Sequence, residues 1–122
     1  MKIAGSIFLI ISALLILAGY TGLRKSEDRI KREILHQVRW GDDISEVRDF
    51  LISADYRIIR ESRTTGFRDY RVEPTITTGQ MHIDVKLGEY GIFIKTYVFA
   101  YFAFDGEGRL IDIWINKEAD TL

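Results

Sequence analysis

The chain has 122 residues, with 17 lysines and arginines against 18 aspartates and glutamates and a net charge of −1. That length fits one small domain, and the balanced charge excludes a strongly basic nucleic-acid binder or an acidic solvating tail as a reading of the whole protein. Cysteine is absent, which excludes disulfides, zinc–thiolate sites, iron–sulfur clusters, thiol catalysis and cysteine lipidation.

Residues 3–23 form a run of 21 residues without a charge. As a helix this run would be about 31 Å long, the thickness of a bilayer's hydrocarbon core. The pattern predicts a single-pass transmembrane anchor over 1–23 and an α+β domain over 24–122. A cleaved signal peptide is the alternative. Lys2 and the apolar run fit it, but the residues at −3 from Ala18 or Gly19 are the bulky Ile16 and Leu17. Arg24, Lys25, Arg29, Lys31 and Arg32 follow the run, and the positive-inside rule by itself would keep the domain in the cytoplasm.

Ser26 to Trp40 reads as a helix with Ile30, Ile34, Leu35 and Val38 as its apolar stripe, and with Glu27–Lys31 and Asp28–Arg32 as pairs on the wet side. Gly41 ends it. Asp43 and Glu46 form a capping-box pattern that opens a second helix, buried through Ile44, Val47, Phe50 and Leu51 and ending near Ser53 to Asp55. The period then changes to two. Tyr56 to Arg60 and Phe67 to Val72 read as strands about a Thr64-Thr65-Gly66 turn, and Pro74 marks an edge or a break. Gln80 to Leu87 alternates as a half-buried strand. Ile92 to Phe104 reads as a long strand, turned by Asp105-Gly106-Glu107-Gly108 into Leu110 to Asn116. The whole predicts an α+β fold in which the N-terminal transmembrane helix is followed by two helices packed on an antiparallel sheet of three to five strands.

The long strand is apolar on both faces. Val98, Ala100, Phe102 and Phe104 share one face, and Tyr97, Phe99 and Tyr101 lie on the other with Ala103. Two helices cover one face of a small sheet, so the second needs the irregular segment, the membrane-proximal helix or another protein. Tyr97, Phe99 and Tyr101 are the candidate partner-binding residues. Arg57, Arg60, Arg63, Arg68 and Arg71 fall within 15 residues. They are candidates for gripping anionic lipid or an acidic partner, with an ordinary solvated sheet edge as the alternative.

No nucleophile elbow, phosphate-cradling loop or zinc-protease helix motif occurs. His36 and His82 are the two imidazoles. His82 shares a strand face with Asp84, an arrangement more often solvated surface than site. No catalytic residue, metal site, cofactor or small-molecule substrate is expected.

Two stretches resemble a known family. Gly41-Asp42-Asp43-Ile44-Ser45-Glu46-Val47, followed by Phe50 and Leu51, resembles the helix-start motif of the small outer-membrane assembly lipoproteins, the SmpA/OmlA or BamE-like family. Tyr101-Phe102-Ala103-Phe104-Asp105, Gly108-Arg109-Leu110, Ile113 and Ile115 are similar to that family's closing hairpin. The helix–helix–sheet order also resembles the halves of the β-lactamase inhibitor proteins. Tyr20 stands where the lipidated cysteine would follow Leu17-Ala18-Gly19, and the Gly-x-Pro that often ends the second helix is missing.

The resemblance implies a non-enzymatic binding module of a bacterial envelope. With the anchor, it gives an inner-membrane protein held through residues 3–23, its soluble domain in the periplasm binding a protein partner. One alternative is an immunity protein neutralising a cognate periplasm-acting toxin. Another is a lipid-contacting structural envelope protein that uses the arginine stretch.

Overall fold

A computed structural model describes residues 22–69, 71 and 73–120. Among them no helix is long and apolar enough to cross a membrane, and residues 3–21 of the expected span lie outside the described residues. The fold expectation is corrected accordingly. The described elements are two helices on a four-stranded antiparallel sheet with a second, two-stranded sheet beside them. Leu23, placed at the end of the expected span, is 5% exposed and belongs to the domain core. An apolar residue continuous with that core is domain material, so the domain takes in Leu23.

Ser26 caps helix α1 (Glu27–Ile34) by accepting from the Arg29 amide at 3.2 Å. Ile30 and Ile34 are its buried residues. The helix stops six residues short of the expected Trp40. Its end tightens, with the amides of His36 and Gln37 donating to Glu33 and Ile34 three residues back, and the chain turns so that Val38 still reaches the core. The expected pairs on the wet side give way to longer reaches. Lys31 lies 3.7 Å from Asp112, and Glu33 takes Lys25 at 2.6 Å.

Asp43 accepts from the Ser45 amide at 3.0 Å and opens helix α2 (Ile44–Ser53), a cap worth about 0.5–2 kcal/mol. Ile44, Val47 and Leu51 are buried as the pattern predicts, and Phe50 packs at the margin. The start of α2 is also clamped to the distant hairpin turn. Ile44 donates to Gly108 O at 2.8 Å, Gly41 to Leu110 O at 2.9 Å, and Leu110 to Asp42 O at 2.9 Å. Gly41 (φ 88°) and Gly108 (φ 79°) hold the left-handed backbone this junction needs. The two stretches that carry the family resemblance are therefore in direct contact.

The main sheet contains β1 (Arg57–Ser62), β4 (Met81–Tyr90), β5 (Thr96–Phe104) and β6 (Leu110–Ala119), in the order β1-β4-β5-β6 and antiparallel throughout. Both helices cover one face. There Ile83, Val85, Val98, Ala100, Phe102, Phe104 and Ile113 are fully buried against Val47 and Leu51.

The small sheet pairs β2 (Phe67–Asp69) with β3 (Ile76–Thr78). This corrects the expected β1–β2 hairpin. The 63–80 segment leaves the main sheet after β1, forms its own two-stranded ribbon, and returns as β4 to pair with β1. Ile58 opposite Val85 continues the buried row of the main sheet, whereas Phe67 finds its burial elsewhere. β5 begins at Thr96 rather than Ile92, because β4 runs on through Tyr90 and Gly91 (φ 109°) starts a loop. Ile92, Phe93 and Ile94 then stand at the tip of the β4–β5 hairpin, 86%, 91% and 58% exposed.

Candidate functional site

On the face away from the helices the register sets up rows of side chains. Arg60, Asp84, Tyr101 and Trp114 are successive cross-strand neighbours, and Lys86, Phe99 and Asn116 form the next row. The β2–β3 ribbon folds over one end of this face. Phe67 is buried there, its ring 4.7 Å from Tyr101 in a stacked pair and 4.9 Å from Trp114. Such aromatic pairs add about 0.5–1.5 kcal/mol beyond area burial. Between the ribbon and the open part of the sheet lies a cleft of about 600 Å³.

Two candidate groups that are distant in sequence meet in this cleft. Phe99 and Tyr101 line it together with Arg60, Arg68 and Arg71. Tyr97 does not line it. Its ring lies under Lys86, with Nζ 4.8 Å from the centroid. Arg57 is exposed opposite Lys86, and Arg63 stands 3.7 Å from Glu61.

The arginines of the cleft are not equivalent. Arg71 Nε donates to Asp69 Oδ1 at 2.9 Å, Nη2 donates to Oδ2 at 3.2 Å, and Nη1 reaches Asn116 Oδ1 at 3.2 Å. This fork pins the far end of β2 to β6. The hydrogen bond from Arg71 holds the Asp69 carboxyl below its ordinary range, and the same bond raises Arg71. Arg60 and Arg68 make no salt bridge among the described residues, so theirs are the cleft guanidiniums without a carboxylate partner there. Burial pushes the Tyr101 hydroxyl up, and Glu118 adds to the rise. It therefore stays a protonated donor through neutral pH.

The His82–Asp84 pair, expected to be solvated, is instead largely buried, with side chains 9% and 15% exposed and Asp84 Oδ1 accepting from Nδ1 at 2.9 Å. The reason is the ribbon, which lies against β4 and β5. Ser62 is the cross-strand neighbour of His82, so the residue types of a hydrolytic triad share one corner. The Ser62 hydroxyl is nevertheless engaged with its own turn, accepting from the amides of Thr64 at 3.3 Å and Thr65 at 3.0 Å. His36 is exposed just after α1. Among the described residues no group of three or more His, Asp or Glu side chains is placed to hold a metal ion.

Sequence reasoning missed Phe67, Asn116 and Glu118 as parts of the cleft. Phe67 carried a signal, since it is the one large apolar residue between Thr64 and Tyr70. Asn116 and Glu118 carried none, because β6 extends to Ala119 rather than stopping at Asn116.

Fold and site together define an α+β module with one sheet face sealed by helices and the other left as an aromatic, guanidinium-lined cleft under a β-ribbon. No protein-family model, curated protein or solved structure matches the chain. The likeness to the assembly lipoproteins rests on the two motifs alone.

Proposed function

We propose that the chain is a non-enzymatic binding module of a bacterial envelope, and that its cleft grips a protein partner in the periplasm. The observation that carries this reading is the convergence of Phe99 and Tyr101 with Arg60, Arg68 and Arg71 in one concavity. Aromatic and arginine side chains dominate binding hot spots because they bring large area and forked hydrogen bonding into one desolvated spot. The complementary surface is a segment that presents a carboxylate beside an apolar side chain. An arginine-driven lipid contact is less well served, because Arg71 is held by Asp69, Arg60 and Arg68 line a cleft rather than a plane, and Arg57 and Arg63 stand outside it.

The test places a photoactivatable phenylalanine analogue at Phe99 in the full chain, inside the cells that make it, with the same group at exposed Ile52 on α2 as control. A protein adduct at 99 that is missing at 52 is the expected result. No adduct at 99, or the same adducts at both positions, would overturn the reading. An adduct with an enzyme that the chain inhibits would favour the immunity-protein form of the same proposal.

A further inference from the structure

The most exposed apolar group among the described residues is at the β4–β5 hairpin tip, where Phe93 is 91% and Ile92 86% exposed, beside Ile94 at 58%. A tight loop spends three large apolar residues on water only where something else covers them. The root of this hairpin has a distinctive chemistry. Tyr90 carries the Arg24 guanidinium 4.8 Å above its ring and the Lys117 ammonium at 5.3 Å, and Lys86 lies over Tyr97. Lys86 and Lys95 share the single carboxylate of Glu89, at 3.4 and 3.9 Å. Around the root Arg24, Lys86, Lys95 and Lys117 outnumber Glu89, Glu118 and Asp120. An apolar tip, a belt of tyrosines behind it and a collar of cations is the ordering a lipid–water interface selects.

The chain's own layout points to the same occupant. The described residues begin at Gly22, and Leu23 and Arg24 pack at this end of the sheet, against Gly88 and Tyr90. Leu23 sits so close against Gly88 that a Cβ there would stand 2.7 Å from its Cδ1. Lys117 Nζ donates to the Lys25 carbonyl beside it. Leu23, the last residue of the uncharged run, and the most exposed apolar loop of the fold therefore lie at the same end of the sheet.

We propose that the Ile92-Phe93-Ile94 tip inserts into the interfacial layer of an anionic lipid bilayer. The domain is thereby oriented with its hairpin end down and the Asp105–Gly108 turn, at the other end of β5, pointing away. The partner cleft is a separate surface, and the proposal does not depend on it.

The protein has no cysteine, so one introduced thiol reports from one place. Full-length Phe93→Cys and, as control, Glu107→Cys are labelled with an environment-sensitive fluorophore and mixed with vesicles of phosphatidylcholine containing phosphatidylglycerol. Blue-shifted emission at 93, quenched by nitroxide carried on the acyl chains and shielded from aqueous iodide, with an unshifted label at 107, is the expected outcome. Adding Ile92→Ser and Ile94→Ser to the Phe93→Cys chain is expected to return the label to water. Insertion is thereby separated from mere nearness to the apolar run. A label at 93 that stays accessible to iodide on vesicles overturns the proposal. So does one already shielded without lipid, which would assign the tip to a second copy or to another part of the chain.

Discussion

Phe102→Ala is expected to lower the unfolding free energy by about 3–5 kcal/mol, the cost of emptying a fully buried aromatic site in a core that cannot collapse to fill it. Phe102 is 0% exposed and lies at the centre of β5, paired with Ile83 on one side and Ile113 on the other. Its ring is on the face that the helices cover, among Val47, Leu51 and Ile44. A small domain has only about 5–15 kcal/mol in total, so this one change should bring it near the threshold of folding. Equilibrium denaturation checks it. A loss below about 1 kcal/mol, the ordinary scale of a typical substitution, would place the hydrophobic centre elsewhere.

Phe67→Ala should act differently. The β2–β3 ribbon has three residue pairs, Phe67–Thr78, Arg68–Thr77 and Asp69–Ile76, and an isolated two-stranded ribbon is marginal in water. Its attachment rests on Phe67 between Tyr101 and Trp114, and on the Arg71 fork to Asp69 and Asn116. Without the phenyl ring the ribbon should lift as a local unit, as weakly attached segments do. Amide exchange at 67–69 and 76–78 is expected to accelerate, while β5 keeps its protection and His82 becomes accessible. Unchanged exchange in the ribbon would mean that the backbone contact of Gln80 N with Phe104 O, at 2.8 Å, suffices to hold it.

The helix starts were legible because capping is local chemistry. Ser26 and Asp43 each accept an amide two or three residues ahead, and no distant residue is needed to read that. The alternation of β4 and the Asp105–Gly108 turn were legible for the same reason. Strand partnership was not. The partner of β1 lies beyond the 63–80 excursion, and Phe67 gives no sign in the sequence that Tyr101 and Trp114 await it. Ile92, Phe93 and Ile94 read as strand because β-branched and aromatic residues usually pair, yet they form the loop. The candidate site was legible only in halves. The arginines and the strand aromatics each stood out, but their meeting depends on a ribbon that brings Arg68 and Arg71 across to Phe99 and Tyr101. Tyr97, spaced identically along the strand, falls outside because it lies further toward the hairpin end.

The central claim is that this cleft binds by shape and charge. Its most direct measurement is the affinity of the crosslinked partner for the Phe99→Ser chain, taken alongside the unfolding midpoint. Phe99 lies on the open face and is only partly buried, so the account predicts an unchanged midpoint and a loss in affinity of about tenfold or more, the scale of a hot-spot truncation. Equal affinity for both chains would contradict it.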